Sequence, residues 1–214
     1  MKYGHVDLEK IEAMINKLGG SEGMKQFLAG YLTVKPVAKP QEFAVWQTIK
    51  IGTCKDKKSL LKTLEKEDLF HNFYPKHVAE NESFTVENTV REIDLVMTSV
   101  EDLCFKGANF EQVCACAKEL GLEICPDETA CQIGLQLSKE TFEENILTVI
   151  SKPIDVRYRD ESLHCSYILE VCYSTDTYKK RISTAMAERT SGEKHEKGIS
   201  VRDNGKLIFV KPRK

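Results

Sequence analysis

The feature that most constrains this chain is its C-terminal run of strand-like segments with no helical pattern between them. Ile146–Ile150 reads as a buried strand ended by Pro153, and Tyr167–Tyr173 reads as another. The chain closes with Ile199-Ser200-Val201, then Asn204-Gly205, then Lys206–Val210. Asn-Gly between two strand patterns predicts a tight hairpin. Strands that follow one another without crossover helices predict an antiparallel or mixed sheet, hence an α+β fold. A doubly wound α/β fold is the alternative, and the missing helices count against it.

Earlier segments supply the helices. Residues 1–33 read as a helical pair, with Asp7 as the first cap, Gly19-Gly20 as the break and Ser21 as the second cap. Val34–Pro40 carries two prolines in five residues and reads as an extended linker, placed at 34–41. The α+β domain is expected over 42–214. It opens with an alternating strand, Phe43–Ile51, closed by Gly52. A basic helix at 57–67 shows Leu60, Leu61 and Leu64 as its stripe. Residues 68–84 are aromatic-rich and interrupted by Pro75, which argues against a helix there. Glu92–Val100 reads as a strand. The clearest helix starts at Asn109, which forms a capping-box pattern with Gln112, and stops at Gly121. A short element follows Cys125-Pro126, with Asp127 as its cap.

No apolar run reaches the ~20 residues that cross a bilayer, and Met1–Asp7 lacks the apolar core of a signal peptide. A cytoplasmic protein with no membrane contact is expected. The eight cysteines are then expected to be free thiols, mostly buried as small hydrophobes. Cys104, Cys114, Cys116, Cys125 and Cys131 lie close in sequence, but no Cys-x2-Cys knuckle is present, so no metal is expected.

Catalytic motifs are scarce. There is no P-loop, no dinucleotide-binding glycine pattern and no nucleophile elbow, and no cofactor is expected. The residual enzyme reading is a site with Cys125 as nucleophile and Glu128 as an orienting or acid/base group. A distant His, either His71, His77 or His164, would activate the thiol. Asp127 and Glu128 also have a structural reading, at the positive end of a helix dipole.

Charge layout is the stronger signal. The net charge is −2, yet residues 176–214 hold 11 basic and 5 acidic side chains, whereas residues 1–175 hold 20 and 28. A +6 segment therefore sits on a −8 body. Either the two complement each other internally, or the basic segment meets an acidic protein or nucleic acid. Lys179, Lys180, Arg181, Arg189, Lys211 and Arg213 are the candidate binding residues, with Tyr173 and Tyr178 as stacking groups for a nucleic acid. Residues 175–198 are poor in large apolar side chains and are expected to form a mobile, protease-sensitive loop.

Several segments occur in an order that resembles a family of uncharacterised bacterial cytoplasmic proteins. They are Val45–Thr53, Ile93–Val96 with Ser99–Leu103, Glu119–Pro126, Lys152–Ile154 and Leu207–Lys211. That family usually carries Cys-Pro-Ala-Glu followed by an Arg, a Tyr and a Trp strand. This chain keeps Cys125, Pro126 and Glu128 but has Gly134, Leu137 and Ile146 at the later positions. The resemblance implies no particular chemistry. Non-enzymatic binding through the basic segment is the leading expectation, ahead of nucleic-acid binding and of the Cys/Glu/His enzyme.

Overall fold

The structure, a computed structural model, describes residues 8–31, 42–104, 108–142, 146–157, 163–174, 179–191, 194–197 and 205–213. The chain divides into two compact units, Met1–Lys39 and Pro40–Lys214.

The first unit contains two helices, α1 (Leu8–Lys17) and α2 (Gly20–Leu28). Gly19, not Ser21, caps α2, at φ 90°. Asp7 and the proline-marked linker lie outside the described residues. No helix among the described residues is long and apolar enough to cross a membrane.

The second unit is α+β. Its strands are β1 (Gln47–Ile51), β2 (Arg91–Thr98), β3 (Ile146–Val149), β4 (Ile154–Arg157), β5 (Leu163–Ser174), β6 (Lys179–Ser191), β7 (Lys194–Lys197) and β8 (Lys206–Lys211). They form one mixed sheet in the order β1-β2-β8-β3-β5-β6-β7, with β4 also pairing β5. Among these ladders, β3–β8 is parallel and the rest are antiparallel. The last strand, β8, therefore lies between β2 and β3, so the sheet closes only when the C-terminal segment inserts.

Among the described residues, five α-helices accompany the sheet: α3 (Lys57–Lys66), α4 (Phe73–Glu80), α5 (Val100–Leu103), α6 (Phe110–Glu119) and α7 (Thr129–Gln136). Strand side chains alternate between two apolar clusters, as a pleat requires. Ile49, Leu95, Ile208, Leu147, Val171 and Ile182 belong to one cluster, with Leu60 and Leu64 of α3 and Ile133 of α7. Val96, Phe209, Ile150, Ile168 and Ala185 belong to the other, with Leu103, Val113 and Ala117 of α5 and α6.

The capping box predicted for α6 is present. Asn109 accepts from Gln112 N, and Gln112 Oε1 accepts from Asn109 N, both at 2.9 Å. Gly121 follows the helix at φ 80°, a left-handed residue that suits glycine.

Three expectations are corrected. Pro75 does not prevent a helix. It falls in the first turn of α4, where its missing N–H would have no intrahelical partner anyway, and Asn72 caps the start at 3.0 Å. The stretch read as a mobile loop contains β6 and β7. β6 needs few apolar residues because a long ladder to β5 holds it, with Ile182 and Ala185 buried among its described side chains. The thiols are not all free, because Cys104 and Cys116 form a disulfide across a Cα–Cα distance of 5.9 Å. The end of α5 turns back onto α6, a closure that the 12-residue separation does not reveal. The predicted turn at Asn204 and the strand at 199–201 lie outside the described residues.

Candidate functional site

Helix α7 organises both polar features of the first face. At its N-terminal end Glu128 is fully buried. Its Oε1 accepts from Gly52 N at 3.0 Å and Glu87 N at 2.8 Å. Its Oε2 accepts from Gln132 Nε2 at 2.7 Å. Gln132 Oε1 then accepts from Thr53 Oγ1 and from Gln136 Nε2, each at 2.9 Å. Gln136 completes the chain by bonding both backbone groups of Lys50: Lys50 N donates to its Oε1 at 2.9 Å, and its Nε2 donates to Lys50 O.

Residues 128, 132 and 136 are i, i+4 and i+8, so a helix places them in one row. The row acts as a side-chain strand along the free edge of β1. It satisfies backbone groups that an edge would leave open. Gly52 is required beside it, because φ is +69° and an added Cβ would lie 2.2 Å from Thr89 O. Asp127 anchors the neighbouring loop in the same way, accepting from Thr85 N at 2.9 Å and Thr85 Oγ1 at 2.7 Å. Neither carboxylate caps its own helix: Glu128 occupies the cap position without a side-chain cap bond. Their surroundings describe anchors of the β1 edge and of loop 85–87.

At the other end of α7 lies a cleft of about 700 Å³. It is lined by Thr63 and Glu67 of the α3 end, Leu69, Gly134 and Leu135 of α7, Tyr173 of β5, and Lys179 and Lys180 of β6. Tyr173 and Lys180 are direct cross-strand partners, which puts both on one face of the sheet. Lys180 Nζ donates to Gly134 O at 2.7 Å and Leu137 O at 2.8 Å. A cation is favoured at this negative end of the helix. Burial holds the Lys180 ammonium below its ordinary pKa, against the opposing charge of Glu67.

The remaining candidate cations engage the body of the chain. Lys179 pairs with Asp68 at 2.8 Å and Arg181 with the same carboxylate at 3.1 Å. Arg181 also bonds Asp68 O. Lys211 Nζ donates to Phe43 O at 2.7 Å. Arg213 grips Asp94 with two bonds of 2.8 Å and reaches Glu92 at 3.3 Å. Arg213, with Thr48 also donating, holds the Asp94 carboxyl down to about 2. Arg189 lies in β6 opposite Cys165, and its side chain is outside the described set, as is Tyr178. The basic segment thus fastens β6 and β8 to acidic and carbonyl groups contributed by distant parts of the chain.

The structure does not place the proposed Cys/Glu/His elements in a catalytic arrangement among the described residues. Cys125 is 3% exposed, and its Sγ donates weakly to Ile208 O at 3.5 Å. Burial pushes its thiol far above the ordinary range, whereas a nucleophile needs accessible thiolate. Glu128 is committed to three donors. His164 sits in β5 between Arg157 and Thr190, and its side chain is outside the described residues. His71 precedes α4 and donates its backbone N–H to Ile182 O at 3.0 Å. His77, within α4, stacks edge-on against Phe73 at 5.6 Å and faces Glu80 at 3.7 Å.

A smaller groove of about 440 Å³ lies on the second face, lined by Cys114, Ala117, Lys118, Leu122, Glu123, Ile124 and Phe209. Burial pushes the Cys114 thiol up to about 11. No group of three His, Cys, Asp or Glu able to hold a metal ion occurs among the described residues.

Sequence reasoning named Lys179, Lys180 and Tyr173 but not Thr63, Glu67, Leu69 or Leu135. Those reach β6 only through long-range contacts, such as Ile182 N to Leu69 O and Lys180 Nζ to Gly134 O, that the sequence does not show. The Glu128-Gln132-Gln136 spacing, by contrast, is visible in the sequence once the helix is drawn. No family model, no curated protein and no solved structure matches this chain.

Proposed function

We propose that this chain is a non-enzymatic binding protein, and that its ligand is a small molecule held in the cleft between α3, α7 and the β5–β6 ladder. The observation that carries the reading is the cleft itself. Its volume of about 700 Å³ falls in the range of small-ligand sites, and such sites combine apolar walls with a few convergent polar groups. Here Leu69 and Leu135 supply apolar wall, and Tyr173, Glu67, Lys179 and Lys180 supply the polar groups. The rigid setting of Lys180 between two helix carbonyls supports the same reading, because a fixed donor loses little freedom when it binds.

This reading shifts the site of action from the basic segment as a whole to two of its lysines. All five described candidate cations have partners within the chain, which leaves a free polycationic surface with less support, and of the five only Lys179 and Lys180 line the cleft. The test is thermal unfolding of the wild-type chain and of Leu135→Trp against a mixed fragment set. Some fragments should raise the wild-type midpoint and lose that effect in the variant. Either no stabilising fragment or equal stabilisation of both proteins overturns the reading.

A further inference from the structure

We infer that the ligand of this cleft is an amphipathic organic monoanion: a carboxylate on an aliphatic or aromatic body, with its head at Lys180 and its body against Leu69, Leu135 and Tyr173. The inference rests on the cleft reading above and names the chemistry it would select.

Lys180 supplies the reason for an anion. An ammonium has three N–H donors in tetrahedral array. Two are spent on Gly134 O and Leu137 O, and the side chain lines the cleft. Both of those partners are neutral carbonyls, so the ammonium charge is solvated by dipoles rather than matched by a directly bonded anion. Burial depresses its pKa, as expected for a charge with incomplete compensation. A carboxylate oxygen entering the cleft would take the third donor and supply the missing charge in one contact.

Lys179 offers a second, exchangeable contact. It pairs with Asp68 at 2.8 Å, but both side chains are more than half exposed. Exposed pairs of this kind are weak and re-form readily with another partner.

The rim sets the charge of the ligand at one. Glu67 lines the cleft, and Asp68 lies next to it in the chain, held beside Lys179. The Glu67 carboxylate in the wall opposes a dianion such as a phosphate monoester, and Asp68 already takes up part of the charge of Lys179 and Arg181. A phosphate would also favour a nest of backbone N–H groups. The helix end facing this cleft is the C-terminal end of α7, which presents carbonyls instead. The apolar wall sets the body. Leu69 is buried, and Leu135 and Tyr173 are partly buried against the same core, so a hydrocarbon chain or ring would extend an existing apolar surface rather than create one.

The test titrates the ¹⁵N-labelled full chain at pH 7 with 4-phenylbutanoate, its neutral amide and the matching phosphonate, following backbone amides. The carboxylate should shift Leu135, Tyr173 and Lys180, and bind at least ten-fold more tightly than the amide and more tightly than the phosphonate. Lys180→Met should weaken the carboxylate about ten-fold and the amide much less, because the amide oxygen accepts from the ammonium without a matching charge. If Lys180→Met loses the folded spectrum, Lys179→Met and a rise from 20 to 500 mM NaCl serve instead, and each should weaken the carboxylate several-fold. Equal binding of amide and carboxylate overturns the inference while leaving the cleft reading intact, as does tighter binding of the phosphonate. Insensitivity to both lysine substitutions and to salt also overturns it. If none of the three shifts the cleft amides the inference falls, and if the fragment set also fails the cleft reading falls with it.

Discussion

Replacing Glu128 with Gln tests how the polar row on α7 is held together. The direction of every hydrogen bond in that row is set by the carboxylate at its buried end. Glu128 only accepts, so Gln132 must present its NH2 to it and its oxygen to Thr53 and Gln136. Gln136 must then present NH2 to Gln132 and Lys50 O, and its oxygen to Lys50 N. In Glu128→Gln, the new amide oxygen keeps Gly52 N and Glu87 N, and its NH2 meets the NH2 of Gln132. Flipping Gln132 relieves that clash but creates another at Gln136. Flipping Gln136 as well sets donor against donor at Lys50 N and acceptor against acceptor at Lys50 O. At least one opposed pair remains wherever the fault is moved. Losing a buried charge-assisted hydrogen bond costs about 2 kcal/mol, or roughly 4–8 °C in melting temperature for a unit of this size. The double variant Glu128→Gln, Gln132→Glu restores a consistent order, because the amide introduced at position 128 then donates to a carboxylate that also takes Thr53 and Gln136. It should recover most of the loss. The assay is urea and thermal unfolding of wild type, both single variants and the double. Glu128→Gln as stable as wild type, or a double variant no better than the sum of its parts, would refute the argument.

Other consequences follow from single contacts. Asp94 is held down to about 2 by Arg213 and Thr48, below its ordinary 3.8. A depressed carboxyl stabilises the folded state above its unfolded pKa and loses that contribution as pH falls through its folded one. The urea midpoint should therefore drop between about pH 4 and pH 2, and Arg213→Ala should flatten that drop. Gly134→Ala should stabilise the chain by about 0.5–1 kcal/mol in urea titration, because glycine is a poor helix-interior residue. The new Cβ would meet Ile182 Cδ1 at an ordinary 3.5 Å. Cys125 and Cys131, buried and raised by desolvation, should resist iodoacetamide at about pH 8, near the ordinary thiol pKa, until urea unfolds the chain, as peptide mapping would show.

How much was legible depended on whether the signal was local. The α6 capping box needs residues three apart, and it was readable. The α3 stripe of Leu60 and Leu64 was readable for the same reason. Helix α4 was misread because the cost of proline depends on position within a helix, and the start at Asn72 was not recognised. β6 and β7 were misread because strand formation there depends on a partner ladder rather than on apolar content. The charge split was visible, but its meaning was not. Asp68 lies 111 residues from Lys179, and Asp94 lies 119 from Arg213, separations that only the fold closes. The cleft was least legible of all, because its walls come from α3, α7, β5 and β6.

The most direct test of the account is a map of where small ligands contact this chain. Amide shifts of the ¹⁵N-labelled protein in a mixed fragment set should centre on Thr63, Leu69, Leu135 and Tyr173. Shifts confined to the second-face groove around Cys114 and Phe209, or spread along Lys211 and Arg213 instead, would contradict it.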